Sequence, residues 1–454
     1  MAETILSVDI GTSSLKAALI DLNGGLRASS RIAYAAGPEG NVGADSWERA
    51  FALALEELRS LAPGRGIDGI CISGNGPTLV PVTADGGALP PLYWHGNRAA
   101  PPGGNRAPSF FLPHAAWLKE YAPGEYGKTS LFMSSHEWLA YRLGAEAFTA
   151  LPQEAYRPYY WDDEQCRLFT LDSDKFPPFV KMGTVVGRVC PGAAALSGSI
   201  RGNCLASGIP IVAGGPDFIT ALLGTGTLRP GDVCDRAGSS EGINVCAASP
   251  VDGNGLRVLP HAKEGLWNIG ALIPSSGRLF EDYRSLTGQQ GRSYGEQLAE
   301  LIPSTNNIDV FRDITPHSSF LTPHSSFSPP HSSLASGRSL LCAMGFAVRS
   351  AADTLAARGF PVREMRVSGG QARNSRWNRL KADITGISLM VPEIPDGELA
   401  GNAVLAAAAL GSGAVSAERI VRFPNIYEPS ADTAAFWEER YLLYLGKPET
   451  GNPG

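Results

Sequence analysis

The chain opens with two apolar runs, ILSVDI and LKAALID, split by Gly-Thr-Ser-Ser, and a third run, LRASSRIAY, follows LNGG. Asn-Gly between apolar runs is a strong hairpin signal. The period then changes. In SWERAFALALEELRSLA the residues Trp47, Phe51, Leu55 and Leu58 recur at helical spacing, and Ser46 stands where a cap belongs. IDGICISGNG returns to a buried-strand pattern that ends in glycines. The second half repeats this order. GDVCDRAGSSEGINVCAA predicts strand, small-residue turn and strand. SLLCAMGFAVRSAADTLAARG predicts a helix capped by Ser339 and stopped by Gly359, and VREMRVSGGQA a strand ending in glycines. The pattern predicts one α/β unit used twice, with a cleft between the copies. The join falls near residues 225–232, where Gly and Pro interrupt the periodicity.

Length agrees with this picture, since 454 residues are too many for one ordinary core. The expected domains are 1–227 and 228–447, with a tail at 448–454. Apolar residues make up 43% and charged residues 18%, a globular composition. A formal net charge of −6 without a long basic run argues against nucleic acid or an anionic membrane as partner. It leaves room for an anionic small molecule held by backbone amides. The N-terminus shows no signal-peptide pattern, and AVLAAAALGSGAV is too short and Gly-rich to span a bilayer. Seven scattered Cys without a CxxC suit a reducing cytoplasm, the expected compartment.

Four motifs could carry chemistry. In DIGTSS, Gly11 lets a backbone turn approach a ligand, and successive N–H groups with the Thr12 and Ser13 hydroxyls can ring phosphate oxygens. Asp9 could orient a hydrated Mg²⁺, and Lys16 could add a point charge. The alternative is an ordinary hairpin with a solvated turn. RAGSSEG offers a second such turn at the equivalent place, and the pair would suit a nucleotide's phosphate chain. In IPIVAGGPDFITALLG a strand runs through Gly-Gly-Pro into a helix. Asp217 in its first turn suits the helix dipole, and it also stands where a base could take a proton from a hydroxyl. In VSGGQARNSRWNRLKADITG the glycines could carry a flat base, while Trp377 reads equally as core or as a stacking surface. Apart from these, TPHSSFLTPHSSFSPPHSS at 315–333 repeats every seven residues, with His317, His324 and His331 in register. Pro precedes every His, so a helix presenting them to a metal is disfavoured, and a flexible surface loop is expected.

These motifs, in this order and spacing, resemble the FGGY family of carbohydrate kinases, with the xylulokinase branch nearest. The resemblance runs from DIGTSS to the AGNAVLAAAALG helix. It implies an α/β, actin-like (ribonuclease-H-like) ATPase fold of two duplicated domains around a central cleft. It further implies ATP and Mg²⁺ as cofactors, a sugar or polyol as substrate, and domain closure in the cycle. A homodimer is among the assemblies it admits. By this resemblance Asp217 is the catalytic base and Asp9 the metal-orienting acid beside the phosphates. Gly11, Thr12 and Ser13, with Lys16 nearby, form the first phosphate loop. Gly238, Ser239 and Ser240 form the second. Gly369, Gly370, Gln371 and Asn374 belong to the adenosine motif.

The sugar side departs from the family's pattern. The family's Gln-Met-His-Gly segment reads GNGPTL here, so Asn75 stands near the Gln and the Met-His pair is missing. Its Trp-Asn-Asp-x-Arg reads YWHGNR, which keeps Trp94 and Arg98 but substitutes His95 and Gly96. The PHSS repeat stands where the family has a Gly-Glu-Arg-x-Pro loop. Asn75, Trp94 and Arg98 are the expected sugar contacts, with Asp217. The expected activity is transfer of the γ-phosphate of ATP to a sugar hydroxyl, xylulose being the first candidate. Ribulose, a longer ketose, a polyol or an aldonate are the alternatives, and a non-catalytic nucleotide- or sugar-binding sensor is the rival of a different class.

Overall fold

The computed structural model describes residues 3–35, 42–93, 107–191, 205–238, 240–274, 276–302, 308–314, 334–411 and 418–446. Trp94, Arg98, Ser239, the 315–333 repeat and the 448–454 tail lie outside them. The chain divides into two compact units. Unit 1 comprises residues 1–226, 260–265 and 397–422, and unit 2 the remainder.

In unit 1, β1 (Thr4–Ile10), β2 (Ser14–Asp21) and β3 (Leu26–Ala33) form an antiparallel meander. Helix α1 (Ala44–Leu61) leads to β4 (Gly69–Gly74), which pairs parallel to β1. Helix α2 (Ser135–Leu143) follows, then β5 (Val185–Arg188) and β6 (Pro210–Pro216), and α3 (Asp217–Gly224) leaves the end of β6 directly. The sheet order is β5-β6-β4-β1-β2-β3. Every residue of β1 and β4 is buried, as expected of central strands covered on both faces, and this is why they read as apolar runs without alternation.

Unit 2 repeats the plan. Strands β7 (Val233–Ala237) and β8 (Glu241–Ala247) form a hairpin, flanked by β9 (Arg257–Pro260) and β10 (Trp267–Ile273). Helix α4 (Leu334–Ala356) leads to β11 (Glu364–Ser368), then α5 (Ser375–Thr385) and β12 (Ser388–Val391), with β13 (Asn425–Tyr427) at the edge. The order is β9-β10-β8-β7-β11-β12-β13. Strands β7 and β11 pair parallel, as β1 and β4 do; the next strand out, β6 or β12, is again parallel, and the edge strand beyond it, β5 or β13, is antiparallel. The internal repeat of sequence pattern is thus a repeat of sheet topology.

Before β13 the chain returns to unit 1 as α6 (Gly397–Ala409), which packs on β1, β4 and α3. The last contact is unusually close. A Cβ at Gly401 would fall 1.9 Å from the Thr220 carbonyl oxygen, and one at Gly224 1.9 Å from that of Gly397. Only glycines let these two backbones touch.

Two expected caps are corrected. Helix α1 begins at Ala44, with Gly43 in extended conformation as its cap, so Ser46 lies inside the first turn. Ala44 is already in the core, which draws the helix start back. Helix α4 begins at Leu334 rather than after Ser339. Gly337 fits this extra turn against Tyr283 and Leu301, where a Cβ would meet their side chains at 2.6 Å. Packing therefore overrides the cap signal. The expected stop at Gly359, three residues past α4, adopts a left-handed φ of +88°.

Candidate active site

Asp9 is the penultimate residue of the apolar β1 and is 2% exposed. Its register partners are Lys16 across the antiparallel ladder and Ser73 across the parallel one. Ser73 Oγ donates to Asp9 Oδ1 at 2.9 Å. Lys16 Nζ lies 3.5 Å from Asp9 Oδ2 and 3.6 Å from Glu398 Oε2. Asn402, one turn beyond Glu398 on α6, donates from Nδ2 to Val8 O at 2.8 Å and to Ser73 Oγ at 2.9 Å. Asn402 thereby fixes the Ser73 hydroxyl as a donor to Asp9.

Burial raises the Asp9 carboxyl to about 7. Lys16 opposes this, the charges of Glu398 and Asp217 add to it, and the Ser73 hydrogen bond opposes it again. Two carboxylates, Asp9 and Glu398, lie within 3.6 Å of one ammonium, and the charge of Asp217 is felt at Asp9, so the local charge is negative and suited to a cation. Among the described residues no group of three or more His, Cys, Asp or Glu forms a metal cage. The oxygen-only donors fit a hard cation that keeps water and phosphate ligands, as Mg²⁺ does. Asp217 opens α3 in a half-buried position, and its Oδ1 accepts from Phe218 N at 2.6 Å.

At the end of β4, Asn75 N donates to Ile10 O at 2.8 Å. Its Oδ1 receives long contacts of 3.4 Å from Thr78 and Ser135, while its buried Nδ2 has no partner. An orphan buried amide hydrogen pair is unfavourable by roughly 1–3 kcal/mol and marks a place where a ligand or water binds. Gly76 lies beside Pro216, the residue before Asp217. The structure therefore gathers Asp9, Lys16, Asn75 and Asp217 at one end of the unit 1 sheet.

The first small-residue turn is tight. Gly11 N donates to Ser14 O at 3.0 Å, a Cβ at Gly11 would meet that oxygen at 2.8 Å, and Thr12 and Ser13 are exposed. In unit 2 Gly238 N donates to Ser240 O at 3.1 Å, and both residues are exposed. Gly369, at φ +98°, approaches the end of β7 so closely that a Cβ would meet Ala237 O at 2.5 Å. Gly370 faces open space. Gly238, Ser240, Gly369 and Gly370, the residues expected at the nucleotide, are thus neighbours. Gln371 Oε1 accepts from Trp377 Nε1 at 2.9 Å, and Trp377 is core at 2% exposed. Asn374 caps α5, its Oδ1 accepting from the N–H groups of Arg376 and Trp377 at 3.1 and 3.0 Å.

Glu398 and Asn402 were not visible as site residues in the sequence. The only signal is a pair of polar residues four apart in an otherwise apolar, Ala-rich helix, a spacing that places both on one face.

Residues 103–224 match the FGGY family of carbohydrate kinases, N-terminal domain, and residues 313–410 the C-terminal domain of the same family. Xylulose kinase of Bacillus subtilis is 24% identical over 97% of this chain and 95% of its own. Autoinducer-2 kinase of an Enterobacter species is 22% identical over 75% of this chain and 70% of its own. Among solved structures, xylulose kinase from Rhodospirillum rubrum superposes with a TM-score of 0.73 at 21% identity, covering 98% of each chain. Gluconate kinase from Lactobacillus acidophilus gives 0.75 at 16% identity, covering 98% of this chain and 97% of its own. The chain has the actin-like α/β fold and belongs to the FGGY family of carbohydrate kinases. It is a sugar phosphotransferase. Among the described residues no helix is long and apolar enough to cross a membrane.

Proposed function

We propose that the protein transfers the γ-phosphate of ATP to a hydroxyl of a ketose, xylulose being the first candidate, with Asp217 as general base and Asp9 as the acid that orients Mg²⁺. The observation that supports it is the single cluster of Asp9, Lys16 and Asp217, supplemented by Asn402 through Ser73. The acceptor oxygen attacks the γ-phosphorus as its proton passes to Asp217, the β,γ-bridging bond breaks, and ADP leaves. Asp9 would hold Mg²⁺ with its water ligands, and the ion would supply charge that offsets the phosphates. Lys16 and the turn Gly11–Ser13 would offset the same phosphate charge, and Gly238, Ser239 and Ser240 are the second phosphate loop that the resemblance implies. Gly369, Gly370 and Gln371 would carry adenosine. Most of the acceleration would come from positioning and electrostatics.

The acceptor is the open point. Asn75 offers its orphan amide to a substrate oxygen. Trp94 can present an apolar face to C–H groups, and Arg98 can fork onto hydroxyls or a carboxylate. The missing Met-His pair and Gly96 in place of an acid leave fewer acceptors for a small neutral ketose. A longer or acidic sugar is therefore the second reading, favoured by Arg98. A panel of pentuloses, hexuloses, polyols and aldonates, read as ADP release, separates the acceptors. Asp217→Asn should lower turnover with the best acceptor by about 10²- to 10⁴-fold while MgATP still binds. Turnover near that of the wild type would remove Asp217 from its role, and MgATP binding without turnover on any acceptor would favour a sensor.

A further inference from the structure

Unit 2 contains a buried charged cluster that the proposed chemistry does not use. Lys381, in the middle of α5, is fully buried, as are Asp235 on β7 and, to within 1%, Glu241 on β8. The Lys381 ammonium donates to both Asp235 Oδ2 and Glu241 Oε1. These two acids flank the turn Gly238–Ser240 on its two strands. The second oxygen of Glu241 accepts from Ser276 Oγ at 2.6 Å, and Ser276 Oγ in turn receives a 3.4 Å contact from Gln371 Nε2. Gln371 Oε1 accepts from Trp377 Nε1 at 2.9 Å, and Trp377 stands one helical turn before Lys381. The side chains close a ring: Lys381, Glu241, Ser276, Gln371, Trp377, and back to α5.

Stability does not explain this ring. Two acids and one base are buried together, and desolvating an ion pair offsets most of what its attraction returns. Burial also raises the Asp235 carboxyl to about 7 although Lys381 and its hydrogen bond pull it down, and Asp235 Oδ1 has no partner. An apolar filling of the same volume would be at least as stable. The ring instead does something apolar packing cannot. It ties both strands of the exposed turn, in fixed direction, to the helix that follows Gly369–Gly370. The cost of fixing the two loops relative to each other is then met in folding rather than in binding.

We propose that Lys381, with Asp235, Glu241 and Ser276, is a positioning network that presets Gly238 and Ser240, at the ends of β7 and β8, against the Gly369–Gln371 loop for a nucleoside triphosphate. It rests on the assignment of those two loops to the nucleotide. None of the four residues touches the ligand; Lys381 acts through the turn, and Ser276 through Gln371.

The test is MgATP affinity by isothermal titration calorimetry, with melting temperature recorded beside it. The triple variant Lys381→Met, Asp235→Asn, Glu241→Gln removes the charges together, so no lone charge is left buried. It should melt within a few degrees of wild type yet bind MgATP at least tenfold more weakly. Ser276→Ala cuts the ring without altering any charge, and should weaken MgATP about threefold, while loss of the hydrogen bond to Glu241 lowers the melting temperature by only a few degrees. Wild-type affinity in a folded triple variant, or in Ser276→Ala, overturns the network. If the triple variant does not fold, Ser276→Ala decides alone. Gly238→Val perturbs the turn itself. If it weakens MgATP while the network variants do not, the loop assignment stands and the network falls. If it leaves MgATP binding intact, the loop assignment fails and the network with it.

Discussion

The glycine contact between α3 and α6 joins the two helices whose first turns carry Asp217 and Glu398, so a single methyl group there should be felt at the site. In Gly401→Ala the new Cβ would lie 1.9 Å from Thr220 O, and such atoms essentially never approach within 3.0 Å. The obstacle is backbone, so the helices must part by more than an ångström. Overpacking of this kind destabilises by about 1–3 kcal/mol, a fall of several degrees in melting temperature. The displacement matters more for turnover, because a shift of about 1 Å in positioned groups can lower rate by about 10²-fold. Melting by circular dichroism and steady-state ADP release give both quantities. Gly124→Ala is the control, since its Cβ would meet nothing within 4 Å. If Gly401→Ala melts and turns over like Gly124→Ala, the two helices do not hold the site in place.

Asp9→Asn should depress Mg²⁺-dependent turnover more than acceptor affinity; a defect confined to acceptor binding, indifferent to added Mg²⁺, would assign Asp9 elsewhere. Burial lowers the His136 imidazole to about 3 and raises its neighbour Glu137 to about 7. The unfolded chain binds the His136 proton below about 6.5, so that residue's contribution to stability is present above 6.5 and lost on acidification, whereas that of Glu137 is present below about 4.5 and lost as pH rises through 7. Between pH 7 and 5, His136→Leu should flatten the loss of melting temperature relative to wild type and Glu137→Gln should steepen it; equal slopes in all three proteins would refute both assignments. Replacing His317, His324 and His331 with Asn should leave folding and metal content unchanged, and loss of stoichiometric Zn²⁺ or Ni²⁺ by elemental analysis would contradict that. Arg98→Ala should weaken the best acceptor, above all an aldonate. If xylulose is preferred by a wide margin and its apparent affinity survives that change, the acidic-sugar reading fails.

The sheets were legible because their strands are buried on both faces and so stand out as apolar runs. Asp9 stood out for the same reason, as a lone carboxylate inside one of them. Asp217 and the two turns were visible because glycines and small hydroxyl residues interrupt strands where a backbone must bend. Glu398 and Asn402 were not visible, because their neighbours in α6 are apolar and the helix reads as core. Nor was the pairing of Lys381 with Glu241. The residues are 140 positions apart, and only the fold brings the acid under the ammonium. The misplaced helix starts have a similar origin. Ala44 and Gly337 are drawn into helices by what they pack against, which no local pattern records.

The return of the chain to unit 1 has a consequence for how the protein can be divided. A fragment cut at the apparent midpoint, after Gly226, would carry Asp9, Lys16, Ser73 and Asp217 but not α6. Asp9 would lose the Asn402 brace on Ser73, and Gly224 would face water instead of a backbone. The two halves repeat one another in topology, yet they are not interchangeable modules. Separate expression, domain swapping with a relative, or permutation at residue 227 should respect the 397–422 segment as part of the first half. A split pair designed as 1–226 with 227–454 could regain the site only by complementation, with the second fragment donating α6.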